Sequence, residues 1–190
     1  MICALAGTLA AAGFGRQARP TSVVHFAVPA HLPERTVNGS CEPSRAAWFR
    51  DDAALCASGG KTYDPCFLTA TSQQWLCVTD PRKPDEVIRL LGPAPSTKSE
   101  TARGAAHRAW FFELADGSTC RPLPTRGREV DGLTELYSCR FGTDGEADAV
   151  LGDFDTSQPV WTVRKVLINK KTDPQTIKSF AMAAVKTVWD

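Results

Sequence analysis

The chain predicts an α+β domain: an antiparallel, disulfide-stapled sheet with a C-terminal helix packed on it. Three observations carry that prediction. Six cysteines (Cys41, Cys56, Cys66, Cys77, Cys120 and Cys139) follow an apolar leader, the pattern of an exported protein held by disulfides. Short runs of β-branched and aromatic residues, punctuated by Gly, Pro and Asp, recur between residues 66 and 168. Residues 173–188 set apolar side chains at helical spacing behind a capping aspartate.

The leader, MICALAGTLAAAGF, is shorter than the roughly 20 residues that span a bilayer, and its length suits the hydrophobic region of a signal peptide. Ala10-Ala11-Ala12 offers a small-x-small cleavage pattern, and Arg16 to Pro20 breaks the apolar run. No Lys or Arg precedes that run, so the alternatives are a start assigned too late or a buried N-terminal helix. Cys3 lies too early for a lipid-anchored cysteine. The expected organisation is a leader over 1–18, an extended arm over 19–37 and one disulfide-stabilised domain over 38–190. A join between subdomains is placed near 92–105.

In the arm, Val23 to Val28 suits an edge strand. Asp51 or Asp52 caps a short helix through Ala53, Leu55 and Cys56, stopped by Gly59-Gly60. Strands are expected at Cys66–Leu68, after Asp64-Pro65, and at Trp75–Val78, closed by Asp80-Pro81. Val87–Leu91 is another, running into Gly92-Pro93 and a polar loop to about Ala105. Trp110–Leu114 reads as a strand, and Asp116-Gly117 as a two-residue hairpin turn into the strand of Cys120. Gly132–Phe141 and Val160–Ile168 are strands separated by a Gly- and Asp-rich loop, GTDGEADAVLGDFD. In the closing helix Asp173 is the N-cap and Pro174 the first helical residue. Ile177, Phe180, Ala181, Ala184, Val185 and Val188 form its apolar face.

The cysteine spacing favours disulfides over metal. Zinc knuckles place ligand pairs two to four residues apart, and no two cysteines here are that close; His25, His31 and His107 do not complete such a set. Neighbour pairing gives Cys41–Cys56, Cys66–Cys77 and Cys120–Cys139, one of the fifteen connectivities six cysteines allow. There is no C-x-x-C and no G-x-S-x-G. The candidate catalytic residue is His107, opening the strand of Trp110, although a histidine so placed is more often structural. Asp144, Glu146 and Asp148 alternate like the start of a calcium loop, but Ala149 stands where glycine belongs and Asp155 where glutamate belongs. Trp48 and Trp75 are the candidate platforms for a sugar ring, set against the usual core role of Trp in strands. Asn38-Gly39-Ser40 fits a glycosylation acceptor. No cofactor is expected.

Charge is balanced at +1, with 22 basic and 21 acidic residues and no basic stripe, which excludes counterion-driven nucleic-acid binding. No segment beyond the leader is apolar enough to span a membrane.

Several phrases occur together: Gly39-Ser40-Cys41, Tyr63-Asp64-Pro65-Cys66-Phe67, Trp75-Leu76-Cys77 with Asp80-Pro81, Asp116-Gly117 before Cys120, Tyr137-Ser138-Cys139, and Pro159 to Val163. Over residues 38–168 the chain resembles a group of uncharacterised extracytoplasmic domains of actinobacterial type. The resemblance implies export and disulfides, and supplies no catalytic residues. The expected function is therefore a secreted or cell-envelope domain that binds or supports without catalysis. The alternative is a small extracellular hydrolase acting on cell-wall or glycan material, and such material is the partner class considered.

Overall fold

The computed structural model describes residues 19–29, 34–70, 73–78, 80–83, 86–95, 108–123, 127–141, 146–169 and 176–190. All regular structure among them is β. In chain order the first seven strands are β1 (Ser22–Val24), β2 (Thr36–Asn38), β3 (Ser40–Pro43), β4 (Ala53–Ser58), β5 (Lys61–Leu68), β6 (Gln74–Val78) and β7 (Val87–Leu91). The other seven are β8 (Phe111–Leu114), β9 (Thr119–Pro122), β10 (Glu129–Val130), β11 (Leu133–Phe141), β12 (Glu146–Asp155), β13 (Thr162–Asn169) and β14 (Thr176–Trp189).

These strands make two curved sheets. In the first, β14-β13-β12-β11-β9-β8 run side by side, and β8 returns to pair with β14, closing a six-stranded barrel. The barrel carries β1 on β14 and β10 on β11. In the second, the order is β2-β7-β6-β5-β4-β3. Its two end strands are consecutive in sequence, joined only by Gly39, so the sheet curls back on itself. That corner requires glycine, because a Cβ on Gly39 would lie 2.3 Å from the Ala57 carbonyl oxygen.

The α+β expectation is overturned: the segment expected as a C-terminal helix is the 14-residue strand β14. Asp173 and Pro174 lie outside the described residues. The helix-like spacing has a β explanation. β14 pairs with β8 through Val185↔Leu114 and Val188↔Phe112, with a bulge at Lys186 between them. A bulge adds one residue and restores side-chain parity after three positions instead of two. Val185 and Val188 thus both enter the barrel core, as i,i+3 neighbours would on a helix. The expected short helix at Ala53–Cys56 is likewise strand β4. Gly59 and Gly60, at φ +55° and +76°, turn it into β5 as a two-residue hairpin. Much of the expected loop GTDGEADAVLGDFD is β12, in which buried Ala147 and Ala149 alternate with half-buried Glu146 and Asp148.

The barrel core gathers Phe112, Leu114, Cys120, Tyr137, Val150, Val163, Val185 and Val188. Between the sheets lies an aromatic cluster. Phe67 of β5 stacks on Phe26 at 4.4 Å, Trp110 meets both rings, and Phe111 and Trp189 meet edge to face. Arg50 straps the cluster, its Cζ 4.6 Å above the Phe67 ring and its guanidinium donating to the carbonyls of Phe26 and Asp190.

Candidate functional site

The strands of the barrel differ in length, and that difference makes a site. β11 to β14 have 8 to 14 residues, whereas β8 and β9 have four each. The short strands close the ring only at one end. At the other, the long strands continue as an open, concave sheet above the β8–β9 turn. The trough left there has a volume of about 510 Å³. Its sheet side presents Lys165 and Leu167 of β13, Asp148 of β12, and Ser179, Ala181 and Ala183 of β14; the turn contributes Leu114 to Asp116. Four of these six β14 and turn residues (Ala115, Ser179, Ala181 and Ala183) are Ser or Ala, small side chains that leave the space unfilled.

Register sets which residues face inward. Val150, Lys165 and Ala181 are cross-strand partners in one row, and Val150 belongs to the barrel core. Cross-strand partners share a face, so Lys165 points toward the trough. Its ammonium lies 2.9 Å from Asp116 Oδ2, 3.8 Å from Asp148 Oδ2 and 3.3 Å from Ser118 Oγ. The Lys165 and Asp148 side chains are 19% and 18% exposed, so these charges meet in a partly desolvated place. Asp116 accepts hydrogen bonds from the Ser118 hydroxyl at 2.5 Å and the Ser118 amide at 2.9 Å. The hydroxyl and then Lys165 hold its carboxyl down at a pKa of about 2.

Ser118 beside Lys165 superficially suggests a serine–lysine nucleophile pair. The geometry argues against that use: the Ser118 hydroxyl donates to Asp116, and Lys165 is engaged by two carboxylates. A base must accept the hydroxyl proton, whereas both groups here point protons at an ionised acid. The arrangement is an ion-pair clamp that fixes the floor of the trough.

No protein-family model and no solved structure matches this chain.

The residues singled out from sequence are dispersed. Cys41–Cys56, Cys66–Cys77 and Cys120–Cys139 are disulfides between facing positions of adjacent strands, with Cα separations of 4.1, 3.8 and 3.9 Å. The sulfurs of Cys56, Cys66 and Cys77 all lie within 4.8 Å of one another, so two disulfides pack side by side in the core of the second sheet. Their thiols are consumed, and the trio is not a ligand set in this state. Such disulfides are compatible with an oxidising, extracytoplasmic compartment. Trp75 is 2% exposed and its indole N–H donates to the Gly92 carbonyl, a core role. Trp48 is half-buried with Arg108 Cζ 4.2 Å above its ring. His107 and Asp144 lie outside the described residues. Glu146 is paired with Lys178, and Asp148 takes part in the trough clamp. Among the described residues, no helix is long and apolar enough to cross a membrane.

Sequence reasoning missed Lys165 and treated Asp116 only as a turn residue. The available signal was Arg164-Lys165 in the middle of an otherwise apolar strand. An interior strand lysine needs a carboxylate partner, and the alternating acids of β12 were the nearest supply.

Proposed function

We propose that this chain is a secreted or cell-envelope binding domain that takes a small ligand, or part of a larger one, in the trough at the open end of its barrel. The carrying observation is the trough itself. Its volume of about 510 Å³ falls within the usual range for ligand sites, roughly 300–1,000 Å³, and such sites favour the mouths of β-barrels. Leu114, Leu167 and the alanines supply apolar surface, and the Asp116–Lys165–Asp148 clamp supplies the few convergent polar groups that orient a ligand. The disulfides support the extracytoplasmic setting. The hydrolase alternative rested on His107, and no described feature of the trough favours it.

The test is ligand-observed NMR against a fragment library supplemented with soluble cell-wall fragments and glycans, the materials an envelope domain meets. Hits on the wild-type chain should weaken about tenfold or more in Ala181→Trp, which fills the trough from an exposed position. Hits that bind Ala181→Trp equally would place the ligand elsewhere and overturn the reading.

A further inference from the structure

The trough borders an open strand edge. Along Val185–Trp189, β14 has β8 on one edge, and along Thr176–Ala184 it has β13 on the other. The two partners are on opposite sides: the Val185 amide donates to Trp161 O on the β13 side, and the adjacent Ala184 carbonyl accepts from Ala115 N at 2.8 Å on the β8 side. Backbone groups alternate between edges along a strand. The amides and carbonyls of Met182 and Phe180 thus face the edge that β8 has left. Among the described residues no strand pairs there.

Natural sheets usually guard such an edge with charge, proline or a bulge. Here a bulge at Lys178 lies at one end of the open stretch, with Lys178 itself tied to Glu146, and Ser179 to Ala183 between it and β8 carry no charge, proline or bulge. The two faces beside the edge differ. One opens onto the trough, past Ser179, Ala181 and Ala183. The other displays Phe180 and Met182, 56% and 54% exposed, with the Arg164 guanidinium 5.7 Å from the Phe180 ring; Met182 also borders the trough.

We propose that this edge binds an extended peptide by strand addition. The peptide runs antiparallel to β14 and takes the ladder places that follow Ala115. Main-chain bonds to Phe180 and Met182 supply affinity, and alternate side chains supply specificity. Residues on one side of the peptide enter the trough, and apolar residues on the other cover Phe180 and Met182. A second copy of β14 fits less well. Self-pairing would offer the trough only Ser179, Ala181 and Ala183 of the other copy, which cannot fill about 510 Å³. The inference rests on the trough being the binding site and names the class of ligand it takes.

The probe is an immobilised library of N-acetylated decapeptide amides alternating β-branched apolar with polar residues of varied size. A captured peptide should slow hydrogen exchange over residues 177–184. N-methylation of every second peptide amide should weaken binding about tenfold or more, as should Met182→Pro, because each removes edge donors. Met182→Pro should leave the melting temperature unchanged. Because Met182 also borders the trough, fragment binding is compared in Phe180→Pro, which removes the other edge amide and should leave it unchanged. The N-methylated peptides test the same point on the unaltered protein. No capture, or capture without slower exchange over 177–184, would overturn strand addition. So would self-association in sedimentation that Met182→Pro abolishes, which assigns the edge to a second copy. In each of these cases retained fragment binding leaves the trough reading standing; loss of fragment binding as well removes both.

Discussion

Removing the disulfides one at a time separates two contributions that this fold sets in opposition. Chain entropy favours the longest loop. The sequence separations are 19 for Cys120–Cys139, 15 for Cys41–Cys56 and 11 for Cys66–Cys77. Because the dependence is logarithmic, each is worth about 3 kcal/mol, and the longest exceeds the shortest by only about 0.5 kcal/mol. Burial runs the other way. Cys66 and Cys77 are both fully buried, whereas Cys41 and Cys139 are partly exposed. Paired alanine substitutions at 66 and 77 leave a void on the order of 40 Å³, which costs about 1 kcal/mol. Cys56 and Cys120 are buried as well, so each of the other variants leaves about half that void, and the excess at 66 and 77, about 0.5 kcal/mol, matches the loop difference. Cys66→Ala/Cys77→Ala should therefore be destabilised as much as Cys120→Ala/Cys139→Ala despite its shorter loop, each losing about 4 kcal/mol, or roughly 8–16 °C in melting temperature for a chain of this size. Calorimetry on the three double variants gives the ranking. If the 120/139 variant is less stable than the 66/77 variant by the full loop difference, loop entropy alone decides and the argument from burial fails.

Three single substitutions probe the turns and the clamp. Gly39→Ala drives a Cβ against the Ala57 carbonyl oxygen at 2.3 Å. It should cost about 1–3 kcal/mol by urea unfolding, whereas Gly117→Ala, with nothing near its Cβ but φ +83°, should cost about 1 kcal/mol. Asp116 has a folded pKa of about 2 against 3.8 when free. A depressed folded pKa means that its stabilisation is present above pH 3.8 and lost as the pH falls toward 2. The side chain is 55% exposed, so solvent screening limits the effect to about 1 kcal/mol or less. Ser118→Ala, which removes the largest cause, should flatten that part of the stability profile between pH 4 and pH 2; an unchanged slope would show that Ser118 does not hold the carboxylate.

The strands of Cys66, Cys77, Cys120 and Cys139 were legible because their signals are local, whereas that of Cys56 read as a short helix and that of Cys41 was not read as a strand. Asp64-Pro65 and Trp75 to Val78 announce β5 and β6, and Trp110 to Leu114 announces β8. The C-terminal strand was not legible, because two bulges at Lys178 and Lys186 break its alternation and leave apolar residues at helical intervals. β12 was hidden by its Gly and Asp content, although Glu146 to Ala149 alternate strictly. The candidate site was illegible for a different reason. It is made by a mismatch in strand length between β8 and its neighbours, and by cross-strand register that brings Lys165 to Asp148. Neither is a property of any contiguous stretch of sequence.

The central claim is that the open end of the barrel is where this protein binds. Hydrogen exchange over residues 177–184 tests it most directly, with and without a ligand selected on the wild-type chain. Protection confined to β14 and the β8–β9 turn, and abolished by Ala181→Trp, is the result predicted. Protection confined to the second sheet, with the trough exchanging as freely as before, would contradict it.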